Sequence, residues 1–135
     1  MIRNLLLVLM VLACNLAFSQ IKTATLTIEI TGLKNSKGNV LIQLADEFEK
    51  TIGQQKAKVI DRYCVFQFKN LPFGKYAARV FHDENSNNEL DTNLFGIPSE
   101  GYGFSNNAKA MFGPPPFKDR LFEINGDKKI TIKMN

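Results

Sequence analysis

Strict alternation of apolar and polar side chains recurs along this chain and limits its fold more than any other feature. In Thr25-Leu26-Thr27-Ile28-Glu29-Ile30-Thr31 the aliphatic residues share one face and Thr or Glu the other, the period-two mark of a strand buried on one side. Residues 39–45 repeat it with Val40, Ile42 and Leu44 inward. Residues 63–69 bring Cys64, Phe66 and Phe68 to one face, and 75–82 set Tyr76, Ala78 and Val80 opposite Arg79. Residues 121–124 and 130–134 flank Asn125-Gly126, a strong hairpin signal, and 56–60 offers a further strand. The polar stretch Asn35-Ser36-Lys37-Gly38 reads as a short hairpin connection between the first two strands. No segment keeps a 3.6-residue period, and 46–51 has room for one helical turn. The expectation is an all-β chain folded as a single antiparallel β-sandwich.

The first 19 residues read as an export signal. Arg3 is the basic start, residues 5–12 are an apolar run, and Ala17 and Ser19 stand at −3 and −1 of a cut before Gln20. The run is far shorter than the ~20 apolar residues that span a bilayer, and no later stretch approaches that length. Residues 20–135 then form one exported domain with no transmembrane segment, periplasmic or extracellular. Val11-Leu12-Ala13-Cys14 loosely resembles a lipidation motif, making a lipid anchor through Cys14 the minor alternative, although Leu12 is bulky for it. With the signal removed, Cys64 is the sole cysteine, which excludes an intramolecular disulfide and suits a small buried hydrophobe. The formal charge is +4, or +3 once Arg3 leaves, and the lysines are scattered. That distribution argues against a nucleic-acid partner, which would require basic charge on one face.

The segment 83–119 departs from the alternation. It holds four of the nine glycines and four of the five prolines, together with Phe95, Tyr102, Phe104, Phe112 and Phe117. Disordered segments are poor in aromatics, so this is expected to be one long ordered loop, pinned to the sandwich by its rings. Tyr102, Phe104, Phe112 and Phe117 are the candidate contacts to a ligand or partner, as a platform for a sugar or peptide. The competing role is a satellite core beneath the loop. The stiff run Phe112-Gly113-Pro114-Pro115-Pro116-Phe117 could present a ring to a partner.

The segment begins Asp83-Glu84-Asn85-Ser86-Asn87-Asn88-Glu89-Leu90-Asp91, with four carboxylates and no Lys or Arg. Such a cluster repels itself without a cation. Its spacing resembles the first nine positions of an EF-hand loop, which suggests calcium held by Asp83, Asn85, Asn87 and Asp91, with Glu89 lending its backbone carbonyl. Position six is Asn88 rather than Gly, and Leu94 replaces the closing glutamate, so another acid such as Glu100 would complete the shell. The plain alternative is a turn capped by Asx hydrogen bonds. His82, the single histidine, precedes the cluster and with Asp83 is the weak catalytic candidate. No nucleophile or dinucleotide motif accompanies it.

Two sets of residues carry a resemblance. Phe68-Lys69-Asn70-Leu71-Pro72-Phe73-Gly74-Lys75-Tyr76 resembles the F-x-N-L-P-x-G-x-Y turn of transthyretin-like and carboxypeptidase-regulatory-like sandwiches. Phe81-His82-Asp83-Glu84-Asn85, Leu90-Asp91-Thr92-Asn93-Leu94-Phe95-Gly96-Ile97-Pro98 and Glu100-Gly101-Tyr102-Gly103-Phe104-Ser105-Asn106-Asn107 are similar to a bacterial exported family catalogued as Domain of Unknown Function 2141. The resemblance implies export and an immunoglobulin-like or transthyretin-like sandwich, and it brings no catalytic residues. In the turn, Pro72 fixes its φ and Tyr76 can bury its ring while its hydroxyl finds a backbone partner. The functional expectation is a non-catalytic binding or interaction module of the cell envelope, its partner an envelope protein, peptide or glycan. The alternative is a small hydrolase using His82 with Asp83 beside the aromatic loop.

Overall fold

The computed structural model describes residues 19–135. The expected export signal, apart from Ser19, and Cys14 lie outside the described residues. The strands are β1 (Thr23–Thr31), β2 (Asn39–Asp46), β3 (Thr51–Lys58), β4 (Cys64–Pro72), β5 (Gly74–Asp83), β6 (Tyr102–Phe104), β7 (Phe122–Ile124) and β8 (Lys128–Lys133). A single turn at Ser105–Asn107 and a one-turn helix α1 (Phe117–Arg120) lie between β6 and β7. One sheet has the order β4-β1-β8; the other runs β3-β2-β5-β6, with β7 also paired to β5.

The alternation read in the sequence is what brings the sheets face to face. Leu26, Ile28 and Ile30 of β1 and Phe66 and Phe68 of β4 are buried in one cluster with Val40, Ile42 and Leu44 of β2 and Tyr76, Ala78 and Val80 of β5. Each large side chain so buried contributes about 1.5–3 kcal/mol relative to exposure. Cys64 joins the cluster, and its burial pushes the thiol above its ordinary pKa. The Tyr76 ring is buried and its hydroxyl donates to the Pro72 carbonyl at 2.6 Å, so the turn motif is architectural.

The expected all-β sandwich is found, with one pairing refined and two connections corrected. The pairing of β1 with β8 is parallel, so the sandwich is rich in antiparallel pairs rather than wholly antiparallel. Asn35-Ser36-Lys37-Gly38 does not close a hairpin, because β1 is already flanked by β4 and β8 and β2 must cross to the other sheet. Asn125-Gly126 likewise joins β7 in one sheet to β8 in the other. A type I′ turn needs positive φ at both central residues, and neither Asn125 nor Gly126 has one. The further strand expected at 56–60 is found as β3, shifted to Thr51–Lys58. It lacks a clean apolar face because Gly53 receives the Phe68 ring, and a Cβ there would lie 2.8 Å from Phe68 Cε1. The 46–51 turn forms without a helix, capped by Asp46 Oδ1 on the Phe48 and Lys50 amides.

The expected long loop 83–119 is shorter than its sequence suggests, because β6, the Ser105–Asn107 turn and α1 lie inside it. At Gly103 a Cβ would sit 2.8 Å from Ile132 Cγ2, so glycine lets β6 approach β8. The Asn135 amide then bonds the Tyr102 carbonyl at 2.9 Å, joining the two sheets at this margin. Among the described residues no helix is long and apolar enough to cross a membrane.

Candidate functional site

The candidate site grows from the C-terminal end of β5, where alternation turns His82 inward. The ring is 1% exposed, and its Nε2 lies 2.6 Å from the Lys37 carbonyl. A carbonyl only accepts, so Nε2 carries the hydrogen and donates it. Nδ1 is 3.9 Å from Glu84 Oε1. The crevice beside the ring, lined by Gly32, Leu33, Gly101 and Met134, has no space for a water-sized group. A general base needs hydrogen-bond reach to a substrate proton, and His82 is enclosed and already engaged.

Asp83 is fully buried and faces its own loop. Its Oδ1 accepts from the Asn87 amide at 3.0 Å and its Oδ2 from the Asn88 amide at 2.9 Å. Asn85 Oδ1 also accepts from the Asn87 amide, and Asn87 Oδ1 from the Glu89 amide. The Nδ2 groups of Asn85 and Asn87 both donate to the Asp91 carboxylate. Asp83, Asn85, Asn87 and Asp91 thus belong to one hydrogen-bonded cluster, and Glu89 enters it through its amide. Glu100 ties the loop ends together: Oε1 accepts from the Glu84 amide at 2.8 Å and Oε2 from the Asp91 amide at 3.1 Å. Asn88 adopts φ 65°, the left-handed geometry that its EF-hand-like position requires. Among the described residues no three His, Cys, Asp or Glu side chains are placed to hold a metal. A cation here would therefore draw on asparagine and carbonyl oxygens as well as carboxylates.

The loop is built against the β1–β2 connection. Gly38 has φ 61°, and a Cβ on it would stand 1.9 Å from the Asp83 carbonyl oxygen. Asn35 Nδ2 donates to Glu84 Oε2 at 2.8 Å. The polar stretch 35–38 thereby acts as the seat of the acidic loop.

The aromatic candidates separate. Tyr102 and Phe104 are half-buried and meet edge to face at 6.1 Å. The Arg120 guanidinium lies over both Phe104, at 5.4 Å, and Phe117, at 5.0 Å, a cation–π arrangement. Phe112 and Phe95 stand in solvent, while Tyr102, Phe104 and Phe117 are half-buried, so most of the rings anchor the segment and two do not. The tip that carries Phe95 is held by Asn93, whose Oδ1 accepts from the Phe95 and Ile97 amides.

With this geometry in hand, the chain can be placed. The profile of a family described as "Uncharacterized protein conserved in bacteria (DUF2141)" matches residues 28–133, from within β1 to the end of β8. The chain belongs to this family. No curated protein matches it. Among solved structures it is similar to a fimbrial assembly protein from Parabacteroides distasonis ATCC 8503, at 11% identity and a TM-score of 0.44. The similarity covers 84% of this chain and 53% of that one, so this chain spans about half that protein's length.

Within the span that matches the DUF2141 family, the motif Ser105-Asn106-Asn107 is a clamp whose role the sequence did not disclose. Ser105 is fully buried; its Oγ accepts from the Ala78 amide at 3.0 Å and donates to the Arg120 carbonyl. Asn106 Nδ2 donates to the Asp119 and Leu121 carbonyls, and Asn107 Oδ1 accepts from the Lys133 amide. Asn106 and Asn107 take positive φ, at 60° and 49°, and that local preference of asparagine was the available signal. Arg79 and Arg120 are the functional candidates that sequence reasoning passed over, because nothing in residue order places them together.

Proposed function

We propose that the protein is an exported, non-catalytic interaction module of the bacterial cell envelope that docks on an envelope protein through its apolar loop tip, with the 83–91 loop stiffened by calcium. The observation that carries this reading is the tip itself. Leu94 and Phe95 are 101% and 87% exposed and Ile97 is exposed beside them, yet the backbone is fastened. The Asn93 amide bonds the Ile97 carbonyl at 2.8 Å, and the Ser99 amide bonds the Asp91 carbonyl at 2.8 Å. Exposed apolar residues such as Phe48 and Ile60 occur singly and need no explanation. Three within four residues on a fixed turn forgo about 1.5–3 kcal/mol each relative to burial, which a docked partner would recover. Met111 and Phe112 form a second exposed tip.

Support for calcium comes from charge. Segment 83–101 holds Asp83, Glu84, Glu89, Asp91 and Glu100 with no Lys or Arg. Among the described residues none of these five pairs with a Lys or Arg. Lys56 reaches the neutral amide of Asn88 instead. The side-chain oxygens of Asp83, Asn85 and Asn87 that accept amide hydrogens keep a second lone pair each for a hard cation.

Two measurements test the reading. The protein recovered from native envelope extracts should migrate as a complex larger than the single chain, and Leu94→Ser with Phe95→Ser and Ile97→Ser should release it at unchanged melting temperature. A triple variant that still migrates with the complex would refute docking by the tip. Millimolar calcium should raise the melting temperature by several degrees, and Asp91→Asn should abolish the rise; an unchanged melting temperature removes the ion. A hydrolytic activity lost in His82→Gln would restore the enzyme alternative.

A further inference from the structure

The outer face of the second sheet carries a groove of about 200 Å³ between β2, β5 and α1. Its floor is Ala45 and Ala77, directly paired across β2 and β5. Arg79 stands on one side, opposite Gln43 on β2 and Phe104 on β6. Phe117, Arg120, Glu49 and Thr51 complete the lining. Ala77 is buried although it points away from the core, because α1 covers part of this face. The pairing of small floor residues with tall walls is therefore a consequence of the strand register and of one helical turn.

Two arginines line this small space, and among the described residues neither forms an ion pair. Arg120 is held in place by the Phe104 and Phe117 rings and by the Ser105 hydroxyl on its carbonyl. Its Nε is buried with no hydrogen-bond partner. An orphaned buried donor costs about 1–3 kcal/mol, which the fold bears to hold the guanidinium beside the groove. Burial holds the Arg120 guanidinium below its ordinary value, Glu49 pulls it up and Arg79 pulls it down, so the three charges share one field.

We propose that this groove binds the C-terminal carboxylate of a peptide or protein, received between Arg79 and Arg120 over the alanine floor. Arginine presents a planar fork that matches a carboxylate. Two cations with Glu49 at the rim leave room for one negative charge, which suits a carboxylate and disfavours a phosphate dianion. The volume is below the ~300 Å³ at which drug-sized sites begin, so it admits a chain end rather than a whole small molecule. Gln43 Nε2 is spent on Thr51 Oγ1, which leaves the Gln43 carbonyl as acceptor for a peptide N–H. This proposal goes beyond tip docking and uses other residues, so either can fail alone.

The test is calorimetric titration of the full exported chain with N-acetyl-Ala-Ala-Ala as the free acid, its C-terminal amide, inorganic phosphate and glucuronate. The acid should bind saturably, at least about tenfold more tightly than the other three. Arg79→Gln, an exposed position, should weaken the acid by a similar factor at unchanged melting temperature. Arg120→Gln should do so as well. No binding at millimolar acid, equal binding of acid and amide, tighter binding of phosphate or glucuronate, or full affinity in Arg79→Gln would each overturn the proposal.

Discussion

β5 meets opposite charge in two places and handles it in opposite ways. At its C-terminal end, Asp83 and the loop beyond it carry five acids, and the buried ones are answered from within: Asp83 and Glu100 each accept two backbone amides. On the same strand, Arg79 lines an open groove together with Arg120, and among the described residues neither forms an ion pair. The acidic end meets its buried carboxylates with backbone amides, and the basic groove leaves two guanidinium groups without an ionic partner. Charge answered by backbone donors builds structure; charge left without an ionic partner gives a ligand of opposite sign something to gain.

The contrast can be broken by substitution, and the largest effect belongs to the seat of the acidic loop. Gly38→Ala puts a methyl 1.9 Å from the Asp83 carbonyl oxygen at φ 61°, and should cost more than about 3 kcal/mol in chemical denaturation. A cost under about 0.5 kcal/mol would show that the loop does not rest on this connection. Asp83→Ala orphans the Asn88 amide, leaves the Asn87 amide with Asn85 Oδ1 alone, and removes two charge-assisted bonds; it should cost about 2–3 kcal/mol. Ser105→Ala, which removes the bridge between β5 and Arg120, should cost about 1–2 kcal/mol and also weaken carboxylate binding. Arg79→Gln sits at the bottom of the scale, within about 0.5 kcal/mol of the parent, because the side chain is exposed and opposes Arg120 rather than supporting it. Should Arg79→Gln destabilise as much as Asp83→Ala, the distinction between the two regions collapses.

The parts of this fold that repeat over short distances were legible. Alternation located β1, β2, β4 and β5, and the Pro72–Tyr76 spacing anticipated the hydroxyl bond. Partner choice was not, since Leu26, Ile28 and Ile30 alternate identically whether β8 pairs parallel or antiparallel. β3 was legible only over residues 56–58, because Gly53 and Gln55 stand where an apolar face would be, their places set by the Phe68 ring and the Gln67 carbonyl. In the acidic loop, oxygens at every second residue were plain to read, whereas the donors that meet Asp83, Asn85 and Asn87 belong to the backbone, which the order of side chains does not show. Arg120 was invisible for a similar reason: its worth lies in Phe104, Phe117 and Arg79, which only folding assembles around it.

The most direct measurement is an amide and arginine side-chain NMR map of residues 20–135 titrated with the N-acetyl-Ala-Ala-Ala free acid. The account predicts saturable shifts at Ala45, Ala77, Arg79 and the Arg120 Nε–H, with residues 83–101 unmoved. Shifts that gather on 83–101, or none at saturating peptide, would contradict it.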